Sequence, residues 1–310
     1  MASPGLLSES AAPLVTDSEC AAFLKASLPQ LTPKNLETLP ALQVQSGRLG
    51  DRFESLVRFW LENFLGVREL AQGIAIRDQR ETIGELDLVF RWPGDPRAIT
   101  EHWEVAVKFY MCIAPSWRES LNAEHFVGQA LLDRLDKKFE LSITKQLKLA
   151  EDPRAKAELM KLGFTGPVRS RLFFKGRLFY PLSWNWREVP APEIVSAQHE
   201  RGYWLAWNGS HSLSALKERT GEGHWVVLPK SRWLEFPVRE PEGSAELLSD
   251  EALVLTLDQH FQRSRNALQL AWVERGDDGD WQEPPSSQGP GRGMILMPGW
   301  PKGAKTEGFQ

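Results

Sequence analysis

Two stretches of alternating sequence decide the fold: Thr82–Trp92 (TIGELDLVFRW) and His102–Ile113 (HWEVAVKFYMCI). Both are rich in β-branched and aromatic residues, so each is predicted to be a strand. Side chains alternate across a strand, which places Asp87 on one face of the first strand, and Glu104 and Lys108 together on one face of the second. Charged groups inside such apolar strands are costly unless they pair or bind a metal. These stretches therefore predict a site as well as a sheet.

Working outward, the sequence predicts the elements around these strands. Ala71–Arg77 predicts one more strand. Gly50–Phe64 predicts a helix, because its apolar residues recur at three- and four-residue spacing, and Glu54 lies at the edge of that stripe. A second helix is predicted over Glu124–Ala150 and a short one over Ser18–Leu28. The predicted core is an α/β structure in the order helix, three strands, helix.

The chain as a whole is predicted to have four segments. These are a loose N-terminal arm with the short helix (1–44), the core (45–150), a strand-rich extension packed on the core (151–275) and a mostly flexible tail (276–310). The extension is predicted to end in a helix over Ser249–Arg263, because an apolar repeat of helical period runs through it. Within the tail, Met294–Trp300 is the stretch that could dock.

Composition excludes several classes of protein. The 310 residues are 42% hydrophobic and 25% charged with a net charge of −4, which excludes a fibrous, wholly disordered or strongly basic chain. The two cysteines, Cys20 and Cys112, form no disulfide framework, so a reducing compartment is expected. No signal-peptide pattern and no membrane-length apolar run occurs, so we expect a soluble, cytoplasmic protein.

Common enzyme motifs are also absent from the sequence. The six histidines show no zinc-ligand spacing. There is no GxxxxGK[ST] phosphate loop, no GxGxxG and no GxSxG. A zinc enzyme, an ATPase, a dinucleotide enzyme and a serine hydrolase are therefore disfavoured.

An acid in a leading helix (Glu54), an acid in the second strand (Asp87) and a lysine late in the third strand (Lys108) resemble the PD-(D/E)XK nuclease superfamily. The longer text is more similar to one uncharacterised bacterial branch, a domain of unknown function. The landmarks of that likeness span roughly residues 45 to 240 and are RLGDRFESLVRFWLE, IGELDLVFR, HWEVAVKFYM, DRLDKKFELSITKQLKL, KGRLFYPL and WVVLPKSRWL. The resemblance implies a restriction-endonuclease-like core.

The resemblance also implies a magnesium (or manganese) site that acts on phosphodiesters. Asp87 and a second acid would hold the ion, which activates water and offsets phosphate charge. Lys108 would stabilise the attacking or transition-state oxygen. Glu54 would add a ligand or orient a water molecule.

One position departs from the superfamily pattern. The acid that usually stands two residues before the lysine is replaced by Ala106. Glu104, on the same face, is the predicted second ligand, and Glu54 or Glu85 are alternatives. If none of them serves, the site has lost its metal and its activity while the fold persists.

Structural interpretations compete with each of these roles. Asp87 and Lys108 could form a buried ion pair that only fixes strand register. Gln146 could face the cleft, although a satisfied half-buried amide is the preferred interpretation. Lys137 and Lys138 are predicted to be a solvated helix face, with phosphate contact as the minor alternative.

A basic run suggests a nucleic-acid surface. Arg154–Arg177 holds seven basic residues and one acidic residue, Glu158, and could neutralise several backbone phosphates. Most of the thirteen tryptophans are predicted to be core, although some could stack on bases. The predicted nucleic-acid contacts are Arg169, Arg171, Lys175 and Arg177.

The leading functional hypothesis is a metal-dependent nuclease whose partner is nucleic acid, with DNA favoured. The first alternative is a catalytically degenerate nucleic-acid-binding module. The second is a scaffold or partner-binding protein that uses the same fold. Substrate structure, biological pathway and oligomeric state remain open at this point.

Overall fold

A computed structural model describes residues 3–30, 48–118, 121–185, 187–218, 220, 222–234, 247–277, 279, 281–284 and 291–302. The protein is mixed α/β, and its strands pair mostly in antiparallel fashion. It divides into two compact units, each assembled from separate stretches of chain. The first unit comprises 1–108, 136–176 and 192–199, and the second comprises 109–135, 177–191 and 200–310.

The first unit contains the predicted helix–strand core. Its elements are α1 (Asp17–Ser27), α2 (Leu49–Phe64), β1 (Leu70–Asp78), β2 (Glu81–Arg91), most of β3 (Thr100–Cys112), α3 (Leu135–Leu141), a π-helical segment (Ser142–Gln146), α4 (Leu147–Leu149), α5 (Pro153–Lys161) and the first part of β5 (Val168–Pro181). The strand order is β1-β2-β3-β5, and both β1–β2 and β2–β3 are antiparallel. The element order of the core is therefore the predicted one.

Aromatic packing fixes α2 against the strands of this unit. The rings of Phe53 and Phe173 stack with centroids 5.7 Å apart, and the ring of Trp103 stacks on Phe173 at 5.5 Å. The apolar stripe of α2 is thus buried, as its helical spacing predicted. A separate apolar cluster that includes Val89, Ala155 and Leu159 packs α5 on the sheet.

The second unit is strand-rich. Its elements are the ends of β3 and β5, β4 (Phe126–Val127), β6 (Glu200–Ala206), α6 (Gly209–Lys217), β7 (His224–Leu228), α7 (Asp250–Arg263), β8 (Leu268–Arg275), β9 (Trp281–Gln282) and β10 (Arg292–Leu296). Its strands follow the order β5-β6-β10-β8-β7, with β5–β6 and β6–β10 parallel. The helix predicted over Ser249–Arg263 is confirmed as α7, with Ser249 as its N-cap.

Two predictions of local structure are wrong, and the docking predicted for part of the tail is confirmed. The helix predicted from Glu124 begins only at Leu135, because Phe126 pairs with Cys112 of β3 and draws the chain into a short strand. The predicted loose arm is packed, since Leu6 is buried. The tail contains β10, which is buried throughout and pairs with β6 and β8, so the region around Met294–Trp300 docks. The loop predicted up to Gly47 and the end of the tail lie largely outside the described residues.

Candidate functional site

Two carboxyl groups meet on neighbouring strands of the first unit. Leu88 of β2 pairs with Trp103 of β3, and one further step along this register brings Asp87 opposite Glu104. The backbone N–H of Val105 donates to Oδ2 of Asp87 at 2.9 Å, which turns the Asp87 carboxyl towards β3. Glu104 is 2% exposed, whereas Asp87 is half-buried. The structure thus brings together the two predicted metal ligands that come from strands.

Burial and like charge make these carboxyl groups reluctant to ionise. Burial, followed by the charge of Asp87, raises the pKa of Glu104 to about 8. Burial also raises the pKa of Asp87, although the Val105 hydrogen bond and the positive charge of Lys138 oppose the change. Burial and then the charge of Asp87 raise the pKa of Glu54 to about 7. The charge of Asp87 thus acts on Glu54 of α2, whose role as a ligand stays a prediction.

A lysine that the sequence assigned to a solvated face contacts the site. Nζ of Lys138 lies 3.2 Å from Oε1 of Glu104 and donates to Oε1 of Gln146 at 2.9 Å. Its side chain is only 15% exposed, whereas Lys137 beside it is exposed and pairs with Glu140. The prediction of a solvated face is correct for Lys137 and wrong for Lys138, because α3 turns Lys138 towards β3.

The contact with Lys138 could have been anticipated from spacing. Lys138, Ser142 and Gln146 recur at four-residue intervals, which aligns these polar side chains along one face of the predicted helix. The π-helical turn that carries Ser142 and Gln146 could not be read from the sequence. Single π-turns of this kind occur frequently at functional sites.

Lys108, the predicted catalytic lysine, lies on the same face of β3 as Glu104 and is half-buried. Ala106, at the usual acid position, is a buried methyl between them. Behind this stretch, Gly176 of β5 approaches the backbone so closely that a Cβ atom there would lie 1.9 Å from the carbonyl oxygen of Lys108. The backbone at Lys108 is therefore tightly fixed.

The carboxyl oxygens of Asp87 and Glu104 are the candidate ligands for a divalent ion. Oε2 of Glu104 is buried and receives no hydrogen bond from an N–H or O–H group of the described residues, but a hydrogen bond links the carboxyl groups of Glu104 and Asp87 when one of them is protonated. Carboxylate oxygens are the ligands that Mg²⁺ and Mn²⁺ prefer. Within the described ranges, no three His, Cys, Asp or Glu side chains are close enough together to hold a metal. Of the predicted ligands, Asp87 and Glu104 are the two that could hold an ion together, with water completing its coordination.

The four predicted nucleic-acid contacts are all engaged inside the protein. Arg169 and Arg171 pair with Glu101, and Arg171 also pairs with Glu19 at 2.6 Å. Lys175 pairs with Asp17 at 3.2 Å, and Arg177 pairs with Glu200 at 3.2 Å. Arg169 keeps 43% of its side chain exposed, whereas the side chains of Arg171, Lys175 and Arg177 are 8%, 5% and 8% exposed. A buried and paired cation is out of reach of a phosphate. Of the four residues, Arg169 is therefore the one whose side chain a phosphate could contact.

The fold and the site define a mixed α/β protein with a buried carboxylate pair on adjacent strands. The chain belongs to the family described as "Domain of unknown function (DUF1853)", which matches residues 1–295. No curated protein and no solved structure matches the chain significantly. No helix in the described ranges combines the length and apolar character needed to cross a membrane. No activity is established for this family, so membership assigns none to the chain. The nuclease relationship and the cytoplasmic location stay predictions.

Proposed function

We propose that Asp87 and Glu104, assisted by Glu54, bind a divalent cation in a nuclease-like protein that hydrolyses phosphodiester bonds of nucleic acid. The carboxyl pair on β2 and β3, with a buried oxygen that receives no hydrogen bond from an N–H or O–H group of the described residues, is the observation that carries the proposal. Two adjacent acids can ionise together only where a cation offsets their charge, and a divalent ion would supply more positive charge than Lys138 alone. The helix–three strands–helix order of the first unit supports the finer proposal of a restriction-endonuclease-like core.

Each residue would contribute a distinct part of the chemistry. When bound, Mg²⁺ or Mn²⁺ would stabilise the charge that develops on the phosphate. Glu54, half-buried with a pKa of about 7, is suited to accept a proton from water near neutral pH. Lys108, on the Glu104 face of β3, would stabilise a negatively charged oxygen. The Val105 N–H would keep the Asp87 carboxyl oriented.

Calorimetric titration of Mn²⁺ into the protein tests this proposal before any substrate is chosen. We expect saturable binding that disappears in Asp87→Asn. Asp95→Asn is the matched control, since Asp95 lies in the loop after β2 and pairs with Arg97. Absence of binding to the unaltered protein would refute the metal site. If binding is found, a screen of DNA and RNA substrates follows, in which Lys108→Ala should lose activity.

A second candidate, a metal-free nucleic-acid-binding module, is favoured by one observation. Lys138 already supplies positive charge to Glu104, so part of the charge that calls for a cation is compensated from within. Such a module would bind nucleic acid without metal, and its affinity would fall with salt. Arg169→Gln should then reduce the salt dependence. A protein that binds neither metal nor nucleic acid would instead be a scaffold for a partner protein.

A further inference from the structure

Lys138 contacts the Glu104 carboxyl group directly. Its Nζ lies 3.2 Å from Oε1 of Glu104, whereas Lys108 follows Glu104 by four residues, about 13 Å along an extended strand. We infer that Lys138 is the positioning residue of the site, a tethered counter-ion that holds Glu104 and competes with the divalent cation for it. This inference rests on the proposed function.

The second hydrogen-bond partner of Lys138 is the side-chain oxygen of Gln146. An ammonium group only donates hydrogen bonds, so the Gln146 atom 2.9 Å from Nζ must be the amide oxygen. Ser142, which is fully buried, donates to the same oxygen at 3.0 Å. The π-helical segment that carries both residues therefore holds an acceptor pointing at the lysine.

This clamp makes Lys138 a preorganised partner of Glu104. A lysine side chain normally loses rotamer freedom when it is ordered in an ion pair. Here the bond to Gln146 already orders the side chain, and little of it reaches solvent. The other oxygen of Glu104, Oε2, receives no hydrogen bond from an N–H or O–H group of the described residues and lies on the carboxyl group that is hydrogen-bonded to Asp87. The arrangement holds the carboxylate in place while leaving one oxygen for a ligand.

In this arrangement, Lys138 and a divalent cation would compete for the Glu104 carboxyl group, and the competition can be measured. An ammonium repels a divalent ion about twice as strongly as it repels a proton at the same distance. Removing the charge of Lys138 should therefore favour the metal even where binding displaces one proton from the carboxyl pair. Because Nζ of Lys138 lies 3.2 Å from Oε1 of Glu104, we expect Lys138→Met to bind Mg²⁺ on the order of tenfold more tightly than the unaltered protein at the same pH and ionic strength.

The test is calorimetric titration of Mg²⁺ at pH 8.5, with thermal melts to confirm folding. Lys138→Arg, which keeps the charge, should restore the unaltered affinity. Lys137→Met, which removes an exposed charge one residue away, should leave the affinity unchanged. Lys138→Gln removes the charge but keeps a donor for Gln146, and it replaces Lys138→Met if that variant does not fold.

The possible results distinguish the inference about Lys138 from the proposed metal site on which it rests. Tighter binding in Lys138→Met, with Lys138→Arg and Lys137→Met unchanged, supports the competition. Unchanged or weaker binding in Lys138→Met, while the unaltered protein binds Mg²⁺, overturns the inference and leaves the metal site standing. Absence of binding to every variant refutes the metal site and the inference together. A purely structural lysine would lower the melting temperature without changing the affinity.

Discussion

The carboxyl group of Asp87 accepts the backbone N–H of Val105 at 2.9 Å, just beyond the last paired residues of β2 and β3. A side chain thereby takes the place of a strand partner. The bond keeps β3 close to β2 at the position of the site and fixes the direction of the carboxyl group. Asp87 therefore has a structural role and a proposed chemical role, and the two can be separated by mutation.

Replacing Asp87 in two ways should achieve this separation. Asp87→Asn keeps an oxygen for the Val105 N–H but removes the charge, so metal binding should be lost while the fold keeps its stability. Asp87→Ala leaves that N–H without its partner and should cost about 1–3 kcal/mol of unfolding free energy. Urea denaturation of both variants provides the check. Equal stability of the two would show that the hydrogen bond is unimportant.

Stability should fall as pH rises through the range set by Glu104. The pKa of this group is 4.5 without its surroundings and about 8 in the folded protein, so the folded state binds more protons between these values. Its stabilising contribution is complete below about 4.5 and is lost as pH rises towards 8. Glu104→Gln, which cannot ionise, should therefore melt at a higher temperature than the unaltered protein at pH 8, and the gap should close at pH 4.5.

Asp152 provides a comparison in which the pKa is shifted in the opposite direction, so that stability should change with pH in the opposite sense. Its pKa is lowered to about 2, mainly by the hydrogen bond from the side chain of Arg154. Stability from this group is present above its ordinary pKa of 3.8 and is lost as pH falls towards 2. Asp152→Asn should therefore lower the melting temperature at pH 8. A rise in both variants would contradict the pKa assignments.

A single methyl group at Gly176 should disrupt the first unit. A Cβ atom there would lie 1.9 Å from the carbonyl oxygen of Lys108, and the backbone φ of +149° is unfavourable for other residues. Gly176→Ala should therefore fail to fold or lose several kcal/mol of stability. Gly50→Ala is the control, because its Cβ would enter open space in α2 and helix propensity favours alanine by up to about 1 kcal/mol. Circular dichroism melts of both variants provide the test. A melting temperature of Gly176→Ala equal to that of the unaltered protein would contradict the prediction.

The second unit depends on a buried ion pair. Arg292 is 2% exposed and pairs with Glu283 at 2.6 Å, and it also donates to Gln269 at 3.2 Å. Arg292→Met leaves the acid in a buried position, so it should cost about 3–5 kcal/mol. The exposed pair of Lys217 with Asp250 provides the comparison, and Lys217→Met should cost far less stability than Arg292→Met, because solvent screens the exposed pair. Denaturant unfolding of the two variants, at one pH and salt, should show this difference.

Short-range patterns predicted much of the core correctly. The apolar repeat over Gly50–Phe64 appears as α2, and the alternating stretches around Asp87 and Glu104 appear as β2 and β3. These predictions succeed because burial of one helix face or one strand face is set by residues a few positions apart. The strand at Phe126 was missed because its structure depends on pairing with Cys112, fourteen positions earlier.

The sequence by itself determined the order of the core elements, since hydrophobic period is a local property, and a family resemblance in the same stretches selected Asp87, Glu104, Lys108 and Glu54 as candidates. Tertiary structure alone decided which cation contacts Glu104 and which basic residues are buried. Lys138 reaches Glu104 across 34 positions, and Arg171 reaches Glu19 across 152. Such pairs form because burial in the folded chain makes an unpaired charge costly, and no local pattern encodes which distant partner will satisfy it.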